Sequence, residues 1–289
     1  MSAIVAVHGV GNHEAGAAPD VVAAARARTW GAALATGLGR PAAELDVAFA
    51  YYAHHLYRGQ PVAQGGPDED AFDRLAPADP ALAVFAEQWL AALDLPPATV
   101  QGRLTVPLRQ IAQVVAERFR LDGRLTHLFM SLFVREVTAY LRDVDAPARI
   151  AAREEVAACI AAHRPRVVIA HSLGSVVTYE ALHAHPESEV ELLVTLGSPL
   201  ALPHAVFHRL RPTPTPTGTR PPGVRRWVNV ADHGDPVAIP RPFSAHFPDV
   251  DLDLAESIGL FAFHPAVKYL GSAAVAATVA PYLAASSQG

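Results

Sequence analysis

A single cysteine in 289 residues, Cys159, rules out any intrachain disulfide and gives no sign of an oxidising compartment. Its surroundings, Val156-Ala157-Ala158-Cys159-Ile160, suit a helix in which it is a small buried hydrophobe. Charge is also scarce: 23 Lys and Arg against 28 Asp and Glu leave a net −5 with no basic run, which argues against nucleic acid as a partner. Long apolar runs are missing too. The Ala-rich stretch 273–285 is interrupted by Pro281 and is too short and too weakly apolar to span a bilayer. No charged leader or signal-type stretch precedes Ala3-Ile4-Val5-Ala6-Val7, so the expectation is a soluble cytoplasmic protein. No internal repeat is visible.

What is present is ample apolar material, 51% of the chain, at a length that suits one α/β domain over 1–289 with an insertion. Strand-like runs at 4–7, 45–52, 167–170, 192–196 and 227–230 alternate with helical stretches. That alternation predicts a mostly parallel central sheet with helices on both faces, the α/β class. The first helix is expected over 20–38, with Asp20 as its cap after Pro19.

Residues 68–146 break the rhythm with amphipathic helices and no strand, and are read as an inserted helical subdomain, a possible cap. Phe85, Trp89 and Leu93 share one face; Leu108, Ile111, Val115 and Phe119 share another. Leu125, Leu128, Phe129, Leu132, Phe133, Val137, Tyr140 and Leu141 form a broad stripe. Such stripes are ordinarily core, although they could also wall an apolar pocket. A helix at 147–163 is expected to pack on the sheet, and the Pro/Thr tract 211–223 to be an exposed extended loop.

The chemistry centres on Ala170-His171-Ser172-Leu173-Gly174. The apolar run Val167-Val168-Ile169-Ala170 suits a buried parallel strand, and Leu173, Val176, Val177 and Leu182 then recur at helical spacing. Ser172 falls between them, where Gly174 lets the helix pass close to the strand and a strained turn can present the hydroxyl. This is the nucleophile-elbow pattern with Ala170 in place of its first glycine. The bland alternative is a serine that caps a helix.

A serine nucleophile needs an oxyanion hole, an acid and a base. His8-Gly9-Val10-Gly11-Asn12 ends the first strand with a Gly-bearing turn, from which the Val10 N–H would be one donor; the Leu173 N–H would be the other. For the acid, Asp232-His233-Gly234-Asp235-Pro236-Val237 offers Asp235, in a turn stiffened by Pro236, with Asp232 as the alternative. For the base, His264 in Phe263-His264-Pro265 lies in a loop running into the last helix, and His246 is the second choice. Adjacent His54-His55 would point to opposite faces of a strand, which argues against a shared metal, and Asp249, Asp251 and Asp253 read as a solvated strand or turn.

The order oxyanion loop, Ser, Asp, His, together with Leu196-Gly197-Ser198-Pro199, resembles α/β-hydrolases of the lipase/esterase type. Leu-Gly-Ser-Pro is similar to the GPI-inositol-deacylase-like group, and Asp235-Pro236-Val237-Ala238 resembles the acid turn of DDHD-type phospholipases. The resemblance covers 1–60 and 160–289, and implies an α/β-hydrolase fold acting on a small-molecule or lipid ester. Ser172 would attack the carbonyl, His264 would shuttle the proton, Asp235 would hold the imidazole, and no metal or organic cofactor would be needed. Thioester chemistry by the same triad (a thioesterase, acyltransferase or cyclase) and a non-catalytic binding or signalling module are the competing expectations.

Overall fold

In the computed structural model, residues 4–57, 80–93, 115–117, 123–258 and 266–283 are described. Six strands form one all-parallel sheet: β1 (Ile4–Val7), β2 (Val47–Ala50), β3 (Val167–His171), β4 (Val190–Leu196), β5 (Val224–Asp232) and β6 (Leu252–Glu256). Their spatial order is β2-β1-β3-β4-β5-β6. The chain therefore steps outward from β1 to β2, returns past β1 to β3, and continues outward in the other direction. The reversal lies between β1 and β3, and crevices at such switch points, outside the carboxyl ends of the strands, are where open α/β sheets bind ligands.

Both faces are covered. On one, α1 (Pro19–Leu38), α7 (Ala266–Leu270) and α8 (Ala273–Leu283) enclose Ile4, Ala6, Ile169, Val194 and Val228. On the other, α5 (Pro147–His163) and α6 (Leu173–Ala184) join α3 (Pro80–Ala92) and α4 (Gly123–Leu141) over Val5, Val168, Leu193 and Trp227. The inner strands β1 and β3 are buried at every residue and read as apolar runs, whereas the edge strand β6 is exposed or half-buried along its length. Trp89, Phe85, Phe133, Val137 and Tyr140 are fully buried in this second core. The described parts of the helical stretch thus share the sheet's core. Leu108, Ile111, Phe119 and the side chain of Leu125 lie outside the described residues, as does His264. No helix among the described residues is long and apolar enough to cross a membrane.

Several local expectations change. Pro19 occupies the first turn of α1, and Ala18, not Asp20, is its N-cap; Asp20 acts only as an acid in that turn. The second strand stops at Ala50, and residues 53–56 turn into a short helix, α2 (Ala53–Leu56), so His54 and His55 lie on a helix and not on a strand. The Pro/Thr tract is exposed along much of its length, but Gly218 is buried against Phe247: a Cβ there would lie 2.1 Å from the ring.

Candidate active site

Ser172 sits between β3 and α6 with φ 52° and ψ −128°, outside the regions an L-residue normally occupies. Strain of this kind costs about 1–3 kcal/mol and persists only when the surroundings enforce it. Here they do. The Ser172 N–H donates to the Leu196 carbonyl (2.9 Å), and the Ser172 carbonyl accepts from the Ser175 N–H (2.9 Å) and the Ser175 hydroxyl (2.6 Å). Ser175 Oγ in turn lies 2.7 Å from Ser198 Oγ, so the Gly-Ser-Pro turn after β4 braces the elbow from the adjacent strand.

Two glycines make the crossing possible. A Cβ on Gly174 would fall 2.2 Å from the His8 carbonyl oxygen, and one on Gly9 would fall 2.6 Å from Ser172 Cβ. Loop and elbow therefore meet at backbone contact across the switch point. The cap alternative fails: Ser172 makes no side-chain capping bond, and its buried Oγ has no hydrogen-bond partner among the described residues. A buried, unpaired hydroxyl on a strained backbone costs stability, which makes it a candidate for a functional group.

The loop after β1 is held by its own polar groups. Asn12 Nδ2 donates to the carbonyls of Gly9 (3.0 Å) and Val10 (3.1 Å), fixing the direction of both peptides. The Val10 and Leu173 N–H groups have no acceptor among the described residues. Behind them, His8 is fully buried between neighbours: its Nε2 accepts from the Tyr52 N–H (3.1 Å), so Nδ1 carries the proton and donates to the Gly9 carbonyl (2.8 Å). Burial pushes the pKa of this ring down to about 3, against a smaller opposing effect of the Gly9 bond. The Tyr52 hydroxyl closes the arrangement by donating to the His8 carbonyl (2.9 Å).

The helical stretch reaches this loop. Glu136 on α4 is buried, and its Oε1 accepts from the Gly11 N–H (2.9 Å) and the Tyr57 hydroxyl (2.7 Å). Burial raises the pKa of Glu136, partly offset by these two donors. On the other side, Trp89 Nε1 of α3 donates to the Pro236 carbonyl (2.9 Å), beside the acid turn.

Asp232 is the last residue of β5 and Asp235 follows in the turn just beyond it, both on the same carboxyl edge as Ser172. His171, Leu196 and Val230 are abreast in the register, which places the turn after Asp232 two strands away from the elbow. Asp235 is buried; its Oδ1 accepts from the Val237 N–H (2.9 Å) and its Oδ2 from the Tyr269 hydroxyl (2.8 Å). Asp232 acts as a turn former, accepting from the N–H groups of Gly234 (2.7 Å) and Ile258 (2.9 Å). Tyr269, on α7, also accepts from the Asp232 N–H (2.7 Å), so α7 is docked on the acid turn.

His246 is placed elsewhere. Its ring is 5.2 Å from Phe207, and the neighbouring Phe247 packs on Trp227 near the start of β5. Trp227 pairs with Leu193, and Leu193 with Val168, four residues before Ser172 and about 13 Å away along the strand. The acidic alternation is taken up by protein donors: Asp251 accepts from Arg220 and the Trp227 N–H, and Asp253 from Asn229 and the Ser244 N–H.

Asn12, Glu136, Tyr269, Trp89 and the Ser175–Ser198 pair were not assigned site roles by sequence reasoning. The Leu-Gly-Ser-Pro motif pointed to the last of these without saying what it does. Comparison of the chain with protein-family models, with curated proteins and with solved structures finds no match.

Proposed function

We propose that this protein is a serine hydrolase of the α/β-hydrolase type that cleaves carboxylic esters through an acyl-enzyme on Ser172. The observation that carries this reading is the elbow itself: a strained, buried serine whose hydroxyl is unpaired among the described residues, at the switch point of a parallel sheet and in backbone contact with a Gly-bearing loop. The Val10 and Leu173 N–H groups lack acceptors among the described residues and suit the developing oxyanion.

Asp235 is the acid in this scheme. It is buried at the sheet's carboxyl edge, whereas Asp232 is only partly buried and both of its carboxylate oxygens accept backbone N–H groups of the turn it shapes. His264 is the base: it precedes α7 by two residues, and Tyr269 holds α7 against Asp235. His246, at the far end of the strands, does not suit that role. The imidazole of His264 takes the Ser172 proton as Oγ attacks the ester carbonyl, then delivers it to the departing alkoxide; water repeats the sequence to release the acid. Ser172 is fully buried, so a substrate must displace whatever covers it before attack.

A fluorophosphonate probe tests the assignment. The wild type is expected to be labelled on Ser172, Ser172→Ala to remain unlabelled, and folded His264→Ala to lose most of the labelling. Equal labelling of wild type and Ser172→Ala would remove Ser172 from the role.

A further inference from the structure

We propose that His54, His55 and Glu155 form a binding site for one divalent transition-metal ion, with zinc the best-matched metal. The inference is independent of the hydrolase reading. It rests on the short helix α2, where adjacent side chains are about 100° apart, not the near-opposition of a strand. Two neighbouring imidazoles can then converge, and they do: the ring centroids of His54 and His55 are 3.9 Å apart, tilted by 39°.

The third group arrives from α5. Glu155 Oε2 lies 3.5 Å from Nε2 of the buried His55. One ligand atom from each of the three residues lies within 4.8 Å of the others. Zinc bonds to imidazole nitrogen and carboxylate oxygen run at about 2.0–2.2 Å, which sets tetrahedral ligand atoms about 3.3–3.5 Å apart. The His55–Glu155 pair already meets that spacing. The remaining contraction falls to Glu155, whose side chain is 43% exposed, and to the half-buried His54.

The donor set is two neutral nitrogens and one carboxylate, with a fourth position left for water. This is borderline-soft chemistry that suits zinc over calcium or magnesium, which prefer all-oxygen shells. An ion held here would tie α2 to α5. Because α2 begins directly after Tyr52, whose N–H and hydroxyl hold His8, the ion would also stiffen the support of the loop after β1.

The test is titration of the purified, chelator-treated full chain with Co2+, read by its visible d–d absorption, followed by displacement with Zn2+. The wild type is expected to bind one equivalent with a tetrahedral-type spectrum that Zn2+ abolishes. Glu155→Gln, at a partly exposed position that does not threaten folding, and His54→Ala should each weaken binding by more than about tenfold, since even outer partners of metal ligands carry about 10–100-fold. Absence of a stoichiometric spectrum in the wild type would overturn the site. So would unchanged affinity in both variants, which would place the ion on other histidines, such as the stacked pair His204 and His208.

Discussion

Replacing Ser172 should make the protein more stable while abolishing its proposed activity. Two costs are concentrated in this residue. The backbone at φ 52° and ψ −128° stores about 1–3 kcal/mol, and the buried Oγ, unpaired among the described residues, costs about 1–3 kcal/mol. Ser172→Ala removes the hydroxyl and keeps the strain, so it should gain about 1–2 kcal/mol. Ser172→Gly also relieves the strain, but gives back about 0.5–1 kcal/mol in chain entropy and about 0.8 kcal/mol in lost apolar contact. It should therefore equal or slightly exceed the alanine variant. At about 2.1 cal/mol/K of unfolding entropy per residue, about 1 kcal/mol corresponds to about 1.6 °C for 289 residues, so both Tm values should rise by about 2–3 °C in calorimetry, with urea midpoints moving in the same sense. An alanine variant less stable than the wild type would show that the hydroxyl is satisfied, and a glycine variant well below alanine would show that the elbow is not strained.

Other substitutions probe the supports. Gly174→Ala should lose about 3 kcal/mol, because the new Cβ meets backbone oxygens at 2.2 Å and 2.8 Å that cannot rotate away. Gly31→Ala, inside α1 with only Val47 at 3.6 Å, should instead gain up to about 1 kcal/mol; urea denaturation of the two checks the opposite signs. His8 has its folded pKa depressed to about 3 from 6.5, so its stability contribution is present above pH 6.5 and is lost as pH falls through that window. About 2 kcal/mol should be gone at pH 5, and His8→Gln should flatten the stability profile between pH 7 and 5; parallel profiles would contradict the neutral ring. Tyr269→Phe removes a donor from buried Asp235 and should cost about 1–3 kcal/mol in unfolding free energy, with ester turnover falling about tenfold if Asp235 orients the base.

The parts legible in the sequence are those with local causes. β1 and α5 fall where expected because an apolar run and a Pro-initiated amphipathic stretch each carry their own signal. The elbow is legible for the same reason: a strained strand-to-helix crossing needs a glycine at the close approach, and Gly174 supplies it two residues after Ser172. What holds the site together is long-range and polar. Glu136 reaches Gly11 across 125 residues, and Trp89 reaches Pro236 across 147, so no periodicity announces either contact. Tyr269 reads in sequence as one more helical aromatic, and only the docking of α7 turns its hydroxyl toward Asp235. His54 and His55 were misread for a related reason. A four-residue helix is too short to show a helical period, so nothing in the sequence sets the pair's side-chain spacing apart from that of a strand.

The central claim is an ester-derived acyl group on Ser172. Stopped-flow turnover of a p-nitrophenyl ester, with quenched samples taken for intact mass and peptide mapping, tests it most directly. The expected result is an acyl adduct of the full chain, mapped to the peptide containing Ser172, together with a burst of nitrophenolate approaching one equivalent where deacylation limits the rate. Ester turnover that persists in Ser172→Ala, or an adduct mapped to another residue, would contradict it.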